Sequence, residues 1–195
     1  MTKRDFLTIT DLSIDELAHV LDLAERPSAA LGRPLAGCGT VDVRAVVRGH
    51  DATVPVINML SDRSHPMQAL ADVLTMRQVH GPLAGKSVAW VGDYNNVARS
   101  LGEACIMLGA HIRYATPDGY GPTTAELARL ESLGAGSVEA FGQPDLAVKG
   151  VDAVHTDTWT SMGQEAEREQ RIETFRGFSV IAELMSNAAP GAGFY

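Results

Sequence analysis

Only two cysteines occur in the 195 residues, Cys38 and Cys105, far apart and in no CxxC pair. Disulfide frameworks and thiolate zinc sites both need clustered thiols, so both are excluded, and the two residues read as reduced, cytosolic ones. No apolar run approaches the roughly 18 residues of a membrane-spanning helix. The amino terminus, Met1-Thr2-Lys3-Arg4-Asp5-Phe6, has two basic residues but no apolar core of a signal peptide behind them. The expected location is the cytoplasm. Positive charge is scarce: 16 Lys+Arg stand against 24 Asp+Glu, a formal net charge of −8. Such a surface opposes non-specific binding to nucleic acid or an anionic membrane and confines any phosphate site to a local basic pocket. Internal repeats and low-complexity segments are absent as well.

What is present is an ordinary globular composition, 45% hydrophobic and 21% charged, which argues against disorder over most of the chain. The length suits one large domain or two small ones. A helix is predicted over about residues 13–25, opened by the capping-box pair Ser13 and Glu16 and apolar along Leu17, Val20, Leu21 and Ala24. Pro27, Gly32 and Pro34 then break the chain. Val41, Val43, Ala45 and Val47 alternate as a strand would, and a second strand is expected at Val54–Met59, with Pro55 placing its start at an edge or turn. Pro66 opens a helix running to about Val79, with Met67, Leu70, Ala71 and Leu74 on one face.

After Gly81-Pro82 and Gly85 the pattern becomes strand–helix alternation. Strands are predicted at Ser87–Val91, His111–Thr116, Ala153–Thr156 and from Ala192, and helices at Val97–Leu108, Thr124–Leu133 (capped by Gly134), Glu165–Phe175 and Val180–Ala188. That alternation implies an α/β fold with a doubly wound, Rossmann-like parallel sheet over residues 81–195. Residues 1–80 are short of strands for a sheet of their own and read as an incomplete partner domain.

Ligands of open parallel sheets bind at the carboxyl ends of the strands, and three polar loops fall there. In Ser64-His65-Pro66-Met67-Gln68, His65 and Gln68 are three apart at a helix start, where free amides suit an anion or a developing oxyanion. Capping by His65, with Gln68 solvated, explains the same residues equally well. In Gly92-Asp93-Tyr94-Asn95-Asn96-Val97 the next glycine is Gly102, so the GxGxxG of a dinucleotide site is missing. The paired asparagines either cap the helix or offer an amide to a small polar ligand. In Thr156-Asp157-Thr158-Trp159-Thr160-Ser161-Met162-Gly163, Asp157 sits where a carboxylate can meet an ammonium, and Ser161 with the backbone at Gly163 can hold a carboxylate. An ordinary loop capped by Ser161 or Thr160 is the simpler alternative.

Taken in order, His65-Pro66-Met67-Gln68, Asp93-x-Asn95-Asn96 and Asp157-x-x-x-Ser161-Met162-Gly163 resemble the ornithine carbamoyltransferases of the aspartate/ornithine carbamoyltransferase family. Val54-Pro55-Val56-Ile57-Asn58-x-Leu60-Ser61-Asp62 and Ala115-Thr116-Pro117-x-Gly119-Tyr120 extend the likeness over nearly all of residues 53–195. The resemblance implies transfer of a carbamoyl group from carbamoyl phosphate to the δ-amine of ornithine, giving citrulline and phosphate, with no cofactor and no metal. It assigns residues 1–80 to carbamoyl phosphate and 81–195 to ornithine. His65 would be catalytic and, with Gln68, would hold the carbamoyl group. Asn96, Asp157, Ser161 and Met162 would hold ornithine. It also implies a homotrimer with sites shared between subunits.

Two departures accompany the likeness. The family's Ser-Thr-Arg-Thr phosphate motif does not occur, since Gly39-Thr40 passes directly into Val41, and Arg48 in Val46-Val47-Arg48-Gly49-His50 is the candidate phosphate ligand that remains. The sequence also stops where the family places His-Cys-Leu-Pro, whose cysteine neither Cys38 nor Cys105 matches. These departures support a competing reading, a non-catalytic amino-acid-binding or assembly relative. A transferase for a different amine, such as putrescine or an acylated ornithine, fits less well, because putrescine has no α-ammonium or carboxylate for Asp157 and the Ser161-Met162-Gly163 loop to engage.

Overall fold

A computed structural model describes residues 6–25, 57–160 and 165–195. The predicted strand over Val41–Val47 and the start of Val54–Met59 lie outside these residues. The first helix, α1, runs Ile14–Ala24, and its capping box forms as expected: Glu16 N–H donates to Ser13 Oγ at 3.2 Å and Ser13 N–H to Glu16 Oε2 at 2.8 Å. The second, α2, spans Pro66–His80, with Pro66 in the first turn, where a missing N–H costs nothing, and Gly81 (φ 75°) ending it. Then follow β1 (Ser87–Val91), α3 (Asn96–Met107), β2 (His111–Ala115), α4 (Thr124–Glu131), β3 (Ser137–Phe141), α5 (Pro144–Val148), β4 (Ala153–His155), α6 (Arg168–Thr174), α7 (Ala182–Met185) and β5 (Gly193–Phe194).

The five strands are all parallel, in the order β3-β2-β1-β4-β5. The doubly wound parallel sheet read from the sequence is therefore present, with helices on both faces. Alternation along each strand divides the core in two. Val88, Trp90, Ile112, Tyr114 and Ala153 pack with α1, α2 and α3. Ala89, Val91, Ala115 and Val154 pack with α5 and with Phe175, Phe178 and Leu184. Period-two side chains of a central strand must serve both layers, which is why β1 is apolar and buried from Val88 to Val91.

The part before β1 forms no strand among the described residues, only the isolated bridges Phe6↔Ile57 and Ser61↔Ser64. It is fastened to the sheet layer because α2 packs along α3. The buried stripe of α2 is Ala69, Val73 and Met76, with Leu70 and Leu74 at its margin and Ala71 exposed. The stripe differs from the predicted one because α2 carries two apolar rows, and close packing against α3 selects the row with smaller residues. No helix among the described residues is long and apolar enough to cross a membrane.

Three further differences from the sequence reading concern short or edge elements. The strand β3 and the five-residue α5 were not foreseen; β3 buries only Val138, so its alternation carries little signal. The helix α4 stops at Glu131 with Ser132 as its last capping residue, while Gly134 serves a different purpose. A Cβ at Gly134 would lie 2.4 Å from Ile106 O, so this glycine lets the chain pass against the end of α3. The last predicted helix, Val180–Ala188, contracts to Ala182–Met185.

Gly102 in mid-α3 fixes the distance between that helix and β2. A Cβ there would sit 1.8 Å from the Tyr114 hydroxyl, which donates to Ala98 O at 3.0 Å in the fully buried core. Alanine would gain about 1 kcal/mol of helix propensity, but overpacking costs about 1–3 kcal/mol, and a contact this short lies at the costly end. Gly102→Ala is expected to destabilise the fold in urea denaturation, and Tyr114→Phe in the same chain to recover most of the loss. Wild-type stability in Gly102→Ala alone would show that helix and strand are not in this close contact.

Candidate active site

Strand order reverses between β1 and β4: the chain moves outward from β1 through β2 to β3, then returns to the other side of β1. Loops leaving β1 and β4 therefore diverge at their carboxyl ends, where doubly wound folds bind ligands. These are the Gly92–Asn96 and Thr156–Thr160 loops. Gly92 (φ 134°) makes the turn, with Thr156 and Trp159 within 4 Å of where a Cβ would stand. Thr156 Oγ1 donates to Val91 O at 2.7 Å.

The two asparagines divide the work that the sequence left undecided. Asn95 caps α3, its Oδ1 accepting from Val97 N–H and Ala98 N–H at 3.0 Å each, and its Nδ2 donates to Asp157 Oδ2 at 2.9 Å. Asn96 Nδ2 donates to Ser61 O at 2.6 Å. The third loop is held by Ser100 of α3, whose Oγ accepts from His65 N–H at 2.9 Å, lies 3.1 Å from Ser64 Oγ and donates to Asn96 O at 2.9 Å. Thus α3 carries the contacts that place all three loops. His65 stands at the cap position of α2, yet its side chain makes no capping bond, and ring Nδ1 is buried without a partner. The ring is therefore not explained as a cap.

A cleft of about 760 Å³ opens where the loops meet, with Ser61, His65, Asn96, Asp157 and Arg171 among its walls. A second pocket of about 280 Å³ shares His65, Val97 and Asp157 with it and is lined further by Gln68, Asp72 and His155. Of the residues singled out from the sequence, His65, Asn96 and Asp157 come together on the larger cleft and Gln68 on the adjoining pocket. Arg48, Ser161 and Met162 lie outside the described residues. Among the described residues no group of three or more His, Cys, Asp or Glu could hold a metal ion.

Burial lowers the His65 pKa, opposed by the charge of Asp157, so the imidazole is held toward its neutral form. Burial pushes the Asp72 carboxyl up to about 6; the hydrogen bond from Gln68 pulls it down, and the charge of Asp157 adds to the rise. His155 is lowered to about 4 by burial, stacked on Tyr195 at 4.9 Å between ring centroids.

Behind the cleft, the buried Arg171 joins two loops that are far apart in sequence. It pairs with the Asp93 carboxylate, donates through Nε to Trp159 O, and lies over the Tyr120 and Phe175 rings at 5.0 and 5.4 Å. Burial raises the Asp93 carboxyl against the pull of this guanidinium. Sequence reasoning missed Arg171, which is concealed in a helix of mixed charge. Asp72 did carry a signal, since it lies four residues after Gln68 and so on the same helical face.

The Asp157 carboxylate is the common electrostatic influence on this site. Asp157→Asn keeps an acceptor for Asn95 while removing the charge, so the pKa of His65 and that of Asp72 are both expected to fall. Proton NMR titration of the His65 ring checks this, and an unchanged or raised value would mean that the two side chains do not face each other.

Residues 84–194 match the family described as Aspartate/ornithine carbamoyltransferase, Asp/Orn binding domain, and residues 39–78 match Aspartate/ornithine carbamoyltransferase, carbamoyl-P binding domain. An ornithine carbamoyltransferase of Symbiobacterium thermophilum is 44% identical over 193 residues, which cover 97% of this chain and 62% of the relative. One of Thermus thermophilus is 49% identical over 143 residues, covering 73% of this chain and 46% of the relative. The chain thus spans about half the length of the curated relatives it matches. The crystal structure of ornithine carbamoyltransferase from Thermus thermophilus aligns with a TM-score of 0.79 at 31% identity, over 100% of this chain and 85% of that one. With the ordered site loops on one parallel sheet and the domain match running through that whole sheet, the chain belongs to the aspartate/ornithine carbamoyltransferase family.

Proposed function

We propose that the chain carries the substrate-binding core of an ornithine carbamoyltransferase, moving a carbamoyl group from carbamoyl phosphate to the δ-amine of ornithine and yielding citrulline and phosphate. The observation that carries this reading is the convergence of His65, Asn96 and Asp157 on one cleft at the topological switch point. In this reading residues 1–80 serve carbamoyl phosphate and residues 81–195 serve ornithine. A homotrimer in the cytoplasm is the assembly and location that accompany it.

The chemistry follows from the geometry. A neutral imidazole at a helix start donates an N–H to the carbamoyl carbonyl oxygen, whose negative charge grows as the amine attacks. Burial keeps His65 neutral, so the donor remains while a buried cation is avoided. Asp157 faces the α-ammonium of ornithine, with Asn96 beside it and Ser161 and Met162 completing the amino-acid side. Asn96 has its Nδ2 engaged by Ser61 O and offers its amide oxygen to an ammonium. The δ-amine must attack as the free base, although an alkyl ammonium ordinarily has a pKa of about 10.4; desolvation in the cleft lowers it. Holding two small substrates in line supplies much of the remaining acceleration. Arg48 and Gln68 complete the carbamoyl phosphate side.

The direct test is citrulline formation by protein of verified mass. His65→Ala is expected to slow turnover by about 10²–10³, the effect of losing one oxyanion donor; equal rates would remove His65 from the chemistry. Asp157→Ala is expected to weaken ornithine binding by about 1.5–3 kcal/mol, a charge-assisted hydrogen bond. Unchanged affinity in calorimetry, with the fold intact, would reduce Asp157 to a loop-holding role through Asn95.

A further inference from the structure

Gln68 does not meet the small pocket alone. Its Nε2 donates to Asp72 Oδ1 at 2.8 Å, one turn further along α2, and both side chains line the pocket shared with His65 and Asp157. A primary amide has a donor end and an acceptor end of nearly the same shape, so its orientation must be set by a neighbour. A carboxylate accepts hydrogen bonds and donates none. Facing Asp72, the Gln68 amide therefore turns its NH2 to the carboxylate and leaves Oε1 as the atom available to a ligand.

We propose that Asp72 is a positioning residue whose carboxylate fixes the Gln68 amide with its carbonyl oxygen free, so that the pocket selects a ligand presenting N–H donors, here the NH2 of the carbamoyl group. The proposal rests on the carbamoyl-transfer reading for the identity of that ligand, while the Gln68–Asp72 coupling stands on geometry alone.

Among the described residues, the groups that line the pocket with Asp72 include no permanent cation. The pocket lining contains His65 at the start of α2, His155 on β4, Asp157 after β4 and Tyr195 after β5, and no Lys or Arg; Cys105 approaches from α3 and feels its charge. Burial, with Asp157 adding its repulsion, places the Asp72 carboxyl near a pKa of about 6. A proton there turns the acceptor into a donor. The amide is then free to turn over, presenting NH2 to a ligand that also presents NH2. Recognition of an N–H donor is accordingly present above this pKa and is lost as pH falls through it.

Two measurements on the full chain test the arrangement. In nitrogen-15 spectra the Gln68 side-chain amide, assigned by its loss in Gln68→Ala, is expected to shift with a midpoint near pH 6 and to be flat in Asp72→Asn. Resonances flat in both proteins would overturn the coupling, whatever the turnover of the chain. In kinetics with carbamoyl phosphate, Gln68→Ala and Asp72→Ala are each expected to lower kcat/KM by about tenfold, and the double variant by no more than Gln68→Ala alone. Multiplying losses would make Asp72 independent of Gln68 and overturn the proposal. Where Asp72→Ala folds poorly, Asp72→Asn takes its place and is expected to lose the low-pH limb of the profile. Absence of citrulline from the wild-type chain would count against the proposed function only, because the amide titration requires no turnover.

Discussion

Parallel strands cannot be joined by a tight turn. Each pair needs a crossover, and a crossover must lie on one face of the sheet. Here the first two crossovers, α3 and α4, take the chain outward from β1 to β3, and the later ones return it to β4 and β5 on the other side. One point on the sheet edge is thereby left where successive loops depart in opposite directions. Both loops with the candidate amino-acid ligands leave from that point, and the rest of the site is fastened to it.

The fastening is done by hydrogen bonds that would be costly to leave unmade. Ser100, fully buried on α3, fixes the start of α2 and so the position of His65. Asn95 satisfies the first free amides of α3 with one end of its side chain and holds Asp157 with the other. Arg171 ties Asp93 to the Trp159 carbonyl from beneath. Removing one member of a buried ion pair of this kind costs about 3–5 kcal/mol. Exposed pairs such as Arg176 with Glu173 contribute about 0–1 kcal/mol, so the buried polar contacts matter more to the site than such surface pairs.

Electrostatics within the cleft follow from the same burial. Desolvation drives His65 toward the neutral imidazole and Asp72 toward the neutral acid, and Asp157 acts on both. The cleft thus sets an imidazole held toward its neutral form close to the Asp157 carboxylate. Arg48, the phosphate candidate read from the sequence, belongs to a segment outside the described residues.

Local chemistry was legible in the sequence wherever one residue type dictates one geometry. Ser13 with Glu16, Pro66 at a helix start and the apolar run Ser87–Val91 all form as read, because caps, proline and buried strands depend on neighbours within a few residues. The parallel sheet followed from strand–helix alternation, and the ordered loops gave His65, Gln68, Asn96 and Asp157. Edge strand β3 and the buried row of α2 were not legible, since one has little to bury and the other had two rows to choose between. Nor could the sequence show that Asn95 reaches Asp157 or that Arg171 reaches Asp93 across 78 positions. Such pairs are decided by the reversal of strand order, which brings distant loops to one crevice. The sequence by itself determined which residues have the chemistry to meet small polar ligands at the strand ends; only the tertiary structure decided which of them hold each other in place, because that depends on three-dimensional proximity that no local spacing encodes.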